Sequence, residues 1–182
     1  MRFGRREVLQ PRLTAGYGDE GKTYVYSGIR NHPLPWTQLL LTLKADAEGF
    51  AESASNSMLV NYYRDGADSV GWHADNEPEL GERPIIASLS FGATRTFELR
   101  RRTTGKVAKV PLISGSILVV RGTIQRDWVH RVSKSPGALA GSILPSASFT
   151  DTPRCPCDLF ARRENLAGAN DRGAVREATH KS

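Results

Sequence analysis

Cysteine and long apolar runs are scarce in this chain of 182 residues, and each scarcity excludes a class of protein. The two cysteines, Cys155 and Cys157, are separated by one residue, which is the wrong gap for a CxxC redox pair or a zinc ligand pair. There is no run of 18 apolar residues, and the first ten residues lack the apolar core of a signal peptide. We therefore expect a soluble protein of the cytoplasm, or of the nucleus in a eukaryote, with no membrane partner. A monomer is expected separately from these absences.

The composition is that of a folded domain with a basic surface. Hydrophobic residues make up 39% and charged residues 24% of the chain, and 182 residues suit one globular domain. The net charge is +6 and the pI is about 9.6. Arginine dominates the cations, and because a guanidinium grips two phosphate oxygens at once, a nucleic-acid partner is permitted. A coding bias towards arginine would explain the same excess.

The middle of the chain is rich in strand-forming segments. They are separated by Gly, Thr or charged turns and lie at residues 11–18, 23–27, 57–63, 69–73, 84–91, 94–99, 106–110 and 116–120. Residues 36–51 instead place apolar side chains at helical spacing. No useful helical pattern interrupts residues 56–132, which predicts a mainly β fold with one or two flanking helices. A double-sheet jelly roll, or double-stranded β-helix, fits better than a parallel sheet.

A candidate metal site begins at His73-Ala-Asp75 and is completed far downstream by His130. His73 and Asp75 are two residues apart, so on an extended strand both side chains leave the same face. Two imidazoles and one carboxylate suit a non-haem Fe(II) site with open coordination positions. His130 is far from the pair in sequence, so it must reach them through folding, and the mouth of a jelly roll brings distant strands together. The spacing of the three residues is by itself a weak signal for a metal site.

Further candidates lie close to this pattern in the sequence. Asn61 and Tyr63 share a strand face and offer an amide and a phenol to a small dicarboxylate. Tyr24 and Tyr26 also share a face, either as ordinary hairpin packing or as a stacking wall for a planar base. Glu77 follows Asp75 by two residues and is either a solvated loop carboxylate or part of the cavity border.

Six ordered blocks between about Gln10 and Lys134 carry a family resemblance. They are Pro11-Arg-Leu-Thr, Tyr24-Val-Tyr-Ser, Asn61-Tyr-Tyr, Trp72-His-Ala-Asp-Asn-Glu, Pro84-Ile-Ile-Ala-Ser-Leu-Ser-Phe-Gly-Ala-Thr-Arg-Thr-Phe and Trp128-Val-His-Arg-Val. Together they resemble the AlkB family of Fe(II)- and 2-oxoglutarate-dependent dioxygenases, which repair alkylated nucleic-acid bases. The similarity is greatest to animal-type and bacterial members that act on 1-methyladenine and 3-methylcytosine.

The resemblance implies both a reaction and a role for each candidate side chain. The reaction is oxidative demethylation of such bases in DNA or RNA with O2 and 2-oxoglutarate, releasing formaldehyde. The implied roles are iron ligation by His73, Asp75 and His130, 2-oxoglutarate binding by Asn61 and Tyr63, and substrate binding by Tyr24, Tyr26 and Glu77.

Two departures from the family pattern affect the edges of the domain. The family's domain begins with a helix and strands before the position of Gln10, so we expect a jelly roll without its N-terminal layer. After its last histidine the family carries a strand of the pattern Arg-Ile-Asn-x-Thr-Phe-Arg, whose first arginine grips the far carboxylate of 2-oxoglutarate. Residues 140–146 here read Ala-Gly-Ser-Ile-Leu-Pro-Ser, so this strand is altered and the arginine clamp is absent as written.

A frameshift explains the altered strand. Codons can be chosen for residues 140–147 that encode the family pattern when the third base of each codon is read with the first two bases of the next. We hypothesise a shift between His130 and Ala140, which divides the chain into a dioxygenase domain, residues 1–139, and an out-of-frame tail, residues 140–182, expected to be disordered. Three interpretations remain open: an active demethylase, a catalytically defective remnant that binds nucleic acid, and a dioxygenase with a different substrate.

Overall fold

The computed structural model describes residues 2–3, 6–7, 11–20, 24–26, 29–76, 80–81, 83–137, 141–149 and 159–163. The strands are β1 (Arg2–Phe3), β2 (Arg6–Glu7), β3 (Leu13–Gly18), β4 (Tyr24–Tyr26), β5 (Ile29–Asn31), β6 (Ser57–Tyr63), β7 (Val70–His73), β8 (Ile85–Gly92), β9 (Arg95–Arg101), β10 (Val107–Leu112), β11 (Ser116–Val120), β12 (Trp128–Val132), β13 (Ser142–Phe149) and β14 (Leu159–Arg163). The helices are α1 (Gln38–Ala51) and α2 (Ile124–Asp127). Every predicted strand and the predicted helix lie within two residues of these bounds.

Two antiparallel sheets build the domain. The major sheet has the order β14-β11-β8-β13-β6-β3, and the minor sheet has the order β10-β9-β12-β7. Two separate hairpins, β1-β2 and β4-β5, accompany them. This mainly β arrangement with two helices confirms the predicted jelly-roll class. Neither described helix has the length and apolar character needed to cross a bilayer.

The central strand β8 is buried on both faces and joins two apolar clusters. Because side chains alternate along a strand, Ala87 and Leu89 face α1 while Ile86 faces the space between the sheets. The cluster under α1 includes Leu40, Ala47, Met58 and Ile117. The cluster between the sheets includes Tyr63, Phe97, Leu118 and Val132. The second cluster forms the apolar floor of the candidate site described below.

Helix α1 is fixed at both ends by local hydrogen bonds. At its start, the Leu40 backbone N–H donates to the Thr37 side-chain oxygen at 3.3 Å, the usual way to satisfy an unpaired amide at a helix N-terminus. At its end, Glu52 takes the left-handed conformation with φ of 52°, and its N–H returns to the Glu48 carbonyl. The cap at Thr37 explains why the helix begins at Gln38 and not at the expected Trp36.

Strand β13 occupies the centre of the major sheet, between β6 and β8. It pairs continuously with β6, but its pairing with β8 passes from Ile143↔Phe91 to Ser146↔Ser88 and omits Leu144 and Pro145. A proline has no N–H to donate, so it is disfavoured in a central strand. We expected a disordered tail from residue 140. Instead, residues 142–149 form β13, which pairs the backbone groups of β6 and β8, and residues 159–163 form β14, which pairs with β11.

The loop between β6 and β7 contains a charged pair, Arg64 and Asp68. The Arg64 guanidinium donates to both oxygens of Asp68, at 2.8 Å from Nε and 2.7 Å from Nη2, and the Arg64 backbone N–H adds a bond of 2.9 Å. The side-chain hydrogen bond from Arg64 lowers the pKa of Asp68 to about 2, although burial opposes the shift. A depressed carboxyl pKa stabilises the fold above the unfolded-state pKa, about 3.9, and this contribution is lost as the pH falls through about 2.

We expect Asp68→Asn to lower the free energy of unfolding by about 1 kcal/mol near neutral pH, because one charge-assisted acceptor is lost. The difference from wild type should shrink between about pH 4 and about pH 2, where wild-type Asp68 becomes protonated. Denaturant unfolding at several pH values measures this. Asp65→Asn, in the same loop but solvent-exposed, is the matched control. A pH-independent difference would contradict the assignment.

Candidate metal centre

The sheet register brings the three predicted metal ligands together. His73 ends β7, His130 lies in the middle of β12, and the two residues are direct partners across the antiparallel pair. Asp75 follows β7 by two residues. One ligand atom from each of the three side chains lies within 4.8 Å of the others. The distant third ligand therefore reaches the first two through strand pairing.

The distances within the triad are those of side chains gathered around a common point. Asp75 Oδ1 is 3.7 Å from His73 Nε2, and Asp75 Oδ2 is 3.4 Å from His130 Nε2. The imidazole centroids are 4.2 Å apart and meet edge to face at 61°. Two imidazole nitrogens and a carboxylate around an open position are the donor set of non-haem Fe(II) sites, so the residues present fit that ion.

The surroundings favour the protonation states that a metal needs. Burial lowers the pKa of His73, and the neighbouring His130 adds to that effect. Burial acts to raise the pKa of Asp75, but the hydrogen bond and charge of His130, with His73 and Arg12, lower it below its ordinary value. Metals bind neutral imidazole and ionised carboxylate, and both shifts stabilise these forms.

Neighbouring groups also orient both histidines. His73 Nδ1 lies 2.8 Å from the Gly71 carbonyl oxygen, which can only accept, so Nδ1 carries the proton and Nε2 is left for the metal. The ring of His130 stacks on Phe97, with centroids 5.1 Å apart and 24° between the planes. The backbone N–H of Asp75 donates to Gln125 Oε1 at 3.0 Å. Each ligand thus has at least one fixed neighbour.

Arg95 ties together the two chain segments that carry the ligands. Its side chain is 1% exposed and lies over the Tyr63 ring, 5.0 Å from the centroid. Its guanidinium donates to the carbonyl oxygens of Asp65, at 2.9 Å, and of Asp68, both in the loop before β7. It also donates to the Ser133 carbonyl, at 3.0 Å, just after β12. This contact adds a side-chain link to the backbone pairing of β7 with β12, which places His73 opposite His130.

A cavity of about 80 Å³ opens beside the triad. A buried water needs about 10–15 Å³ by this measure, so there is room for a small ligand. Besides the three ligands, its polar wall comprises Arg12, Asn61, Tyr63, Ser88, Gln125 and Ser146. Arg12 is 8% exposed, and its Nε donates to Asn61 Oδ1 at 2.6 Å. A cation and two hydrogen-bonding side chains therefore face the space next to the metal ligands.

The structure unites five of the eight predicted site residues. His73, Asp75, His130, Asn61 and Tyr63 line one cavity. Tyr24 and Tyr26 lie on β4, of which only the backbone is described, and Glu77 lies outside the described residues. Their suggested contacts with a base remain predictions.

Arg12 and Gln125 line the cavity but were not predicted as site residues from the sequence. Arg12 belongs to the Pro11-Arg-Leu-Thr block of the family resemblance, and that block could have identified Arg12 as a site residue. Nothing in the sequence pointed to Gln125 as a site residue. It lies in the short helix α2 and reaches the site by a hydrogen bond with Asp75, which is 50 residues earlier in the chain. The described side chains of β13, from Ser142 to Ser146, include no cation. The cavity therefore fits a small acid in part, without the arginine clamp.

Comparison with known proteins gives a consistent picture. A family model described as the 2OG-Fe(II) oxygenase superfamily matches residues 3–154. The Mus musculus protein named alpha-ketoglutarate-dependent dioxygenase alkB homolog 3 is 48% identical over 147 residues, covering 74% of this chain and 51% of the mouse protein. The Homo sapiens protein named DNA oxidative demethylase ALKBH2 is 37% identical over 146 residues, covering 76% of this chain and 56% of the human protein. The chain thus spans about half the length of these relatives.

A solved structure described as that of OsALKBH1 resembles the whole domain. The TM-score is 0.53 at 20% sequence identity, covering 82% of this chain and 84% of the other. At that identity the similarity supports the fold alone.

Proposed function

Because the chain belongs to the 2OG-Fe(II) oxygenase superfamily and to its AlkB family, we propose that it oxidatively demethylates N-alkylated bases in DNA or RNA. The proposed substrates are of the 1-methyladenine and 3-methylcytosine type, and formaldehyde is the released product. Fe(II) and 2-oxoglutarate, when bound, would supply the oxidising power for hydroxylation of the N-methyl carbon by O2.

The observation that carries this proposal is the partly buried triad beside a partly polar cavity. His73, Asp75 and His130 would hold Fe(II), because they provide two neutral nitrogens and one carboxylate within 4.8 Å. Asn61 and Tyr63 would bind 2-oxoglutarate through their amide and phenol groups. The apolar floor between the sheets would exclude water from the reacting groups. Tyr24, Tyr26 and Glu77 are proposed to receive the flipped base.

A basic hairpin supports nucleic acid as the partner. The end of β9, the following turn and the start of β10 expose Arg100, Arg101, Arg102, Lys106 and Lys109. On the minor sheet, Arg100 and Arg131 each lie 4.4 Å from the centroid of the Trp72 ring. Clustered cations attract a phosphate backbone without regard to sequence. We propose a monomer that meets its substrate in the cytoplasm, or in the nucleus of a eukaryote.

A second candidate function follows from β13. Its described side chains provide no arginine to the cavity, so the chain as written is weakened in co-substrate binding. A catalytically defective remnant that still binds nucleic acid, and metal, would match this observation. A dioxygenase with a substrate other than nucleic acid is the third alternative.

A formaldehyde-release assay on oligonucleotides with 1-methyladenine or 3-methylcytosine separates these functions. With Fe(II) and 2-oxoglutarate, we expect formaldehyde in proportion to repaired base, abolished by His73→Ala. The assay should compare the chain as written with one whose reading frame is restored after His130. Oligonucleotide binding without turnover in both would support the remnant. Succinate formation without base repair would support a different substrate.

A further inference from the structure

Gln125 occupies an unusual position beside the metal triad. It lies in α2, is 2% exposed, and lines the same cavity as His73, Asp75 and His130. Its Oε1 accepts the backbone N–H of Asp75 at 3.0 Å. Since only the carbonyl end of an amide can accept from an N–H, this contact fixes which end of the side chain is nitrogen.

The other end of the amide is buried without a partner. Gln125 Nε2 makes no hydrogen bond to any described residue. An amide nitrogen carries two donors, and leaving such a group unsatisfied in a protein interior is costly, which makes unsatisfied cases rare. A donor with no acceptor among the described residues, on a side chain that lines a cavity, points to a ligand as the acceptor.

The charges in the cavity indicate which ligand chemistry is suitable. A divalent cation on two neutral imidazoles and one carboxylate leaves a net positive centre, which attracts an anionic oxygen. Arg12, in the same wall, adds a second positive charge. A carboxylate oxygen has the negative charge that the metal centre and Arg12 attract, and it can accept a hydrogen bond from Gln125 Nε2.

We propose that Gln125 is a positioning residue that joins the two halves of the site. Through Oε1 it holds Asp75 in place as a metal ligand, and through Nε2 it donates to a carboxylate oxygen of 2-oxoglutarate. This role rests on the proposed function and adds a residue from outside the strands that supply the ligands. It also accounts for a Gln125 Nε2 that has no acceptor in the part of the chain that the structure describes.

Two substitutions separate the two contacts. Gln125→Met is close in volume and removes both the acceptor and the donor. Gln125→Glu keeps an oxygen that can accept the Asp75 N–H but replaces the donor with a negatively charged oxygen. Arg126→Ala is the matched control, because Arg126 is the next residue of α2 and is exposed.

The readouts are Co(II) binding, followed by visible absorption, and 2-oxoglutarate binding to the Co(II)-loaded protein without O2. We expect Gln125→Met to weaken Co(II) binding about 10- to 100-fold, as is typical when a group that orients a metal ligand is lost. We expect Gln125→Glu to bind Co(II) at least as tightly as wild type but 2-oxoglutarate at least about tenfold more weakly. Thermal unfolding of all variants monitors folding.

The results test the two proposed contacts of Gln125 separately. Wild-type Co(II) affinity in Gln125→Met would overturn the role of Oε1, and wild-type 2-oxoglutarate affinity in Gln125→Glu would overturn that of Nε2. A wild-type protein that binds Co(II) but no 2-oxoglutarate also overturns the role of Nε2. If the wild type binds neither, the proposed function itself fails. If it binds both and the variants behave like it, only the role of Gln125 fails.

Discussion

Replacing Asp75 with alanine is expected to reduce metal affinity by more than about 100-fold and to remove detectable formaldehyde release. Asp75 is the only charged ligand of the triad, and the alanine variant would leave two imidazoles to hold a hard divalent cation. Even residues that merely orient a metal ligand typically contribute about 10- to 100-fold to metal affinity, so loss of a ligand should exceed that range. Isothermal titration with Mn(II), which undergoes no turnover, measures the change directly.

The controls for Asp75→Ala separate ligation from folding. Asp75→Asn keeps an oxygen but not the charge, and its metal affinity should be intermediate. Asp127→Ala removes a carboxylate that pairs with Arg126 outside the cavity, and its metal affinity should match wild type. Circular dichroism should show the same fold in each. Mn(II) binding by Asp75→Ala within threefold of wild type would remove the triad as the metal site.

A chain with its reading frame restored after His130 is expected to bind 2-oxoglutarate about 100-fold more tightly than the chain as written. A hydrogen bond to a charged group contributes about 1.5–3 kcal/mol, and a bidentate arginine clamp provides two of them. About 2.8 kcal/mol corresponds to a factor of 100. The restored strand would also remove Pro145 from the centre of the major sheet, so a higher melting temperature should accompany the tighter binding.

The first check on the frameshift is the coding DNA itself. The hypothesis requires codons across residues 140–147 that spell Arg-Ile-Asn-x-Thr-Phe-Arg when read from the third base. Codons that cannot spell this strand would eliminate it. In the restored chain, changing the first arginine of the strand to methionine should return 2-oxoglutarate affinity to the level of the chain as written. Equal affinity of the restored and original chains would show that another group binds the acid.

Much of the fold could be predicted because it depends on local patterns. Runs of strand-forming residues bounded by turns specified the strands, and a period near 3.6 specified α1 to within two residues. The tail was harder to predict. Residues 142–149 have no strong strand pattern and contain a proline, yet they fill the slot between β6 and β8. Unpaired backbone groups on two neighbouring strands outweigh the preferences of a short segment.

The arrangement of the candidate site was also predicted only in part from the sequence. The two-residue spacing of His73 and Asp75 predicted side chains on one side of an extended chain, and the structure ends β7 at His73 and brings Asp75 beside it from the following segment. The sequence also placed Asn61 and Tyr63 on one face of β6. Only the tertiary structure set His130 opposite His73, because register depends on pairing between strands that are far apart in sequence.

The surroundings of the ligands were decided entirely by the tertiary structure. Gln125 reaches Asp75 across 50 residues, and Arg95 gathers carbonyls from both sides of the site. Burial makes these contacts consequential, because a buried amide or guanidinium must find partners within the protein or in a ligand. Residue types and spacing therefore indicated which side chains offer the donor atoms of a metal site, and folding determined how those side chains are held and what else faces the cavity.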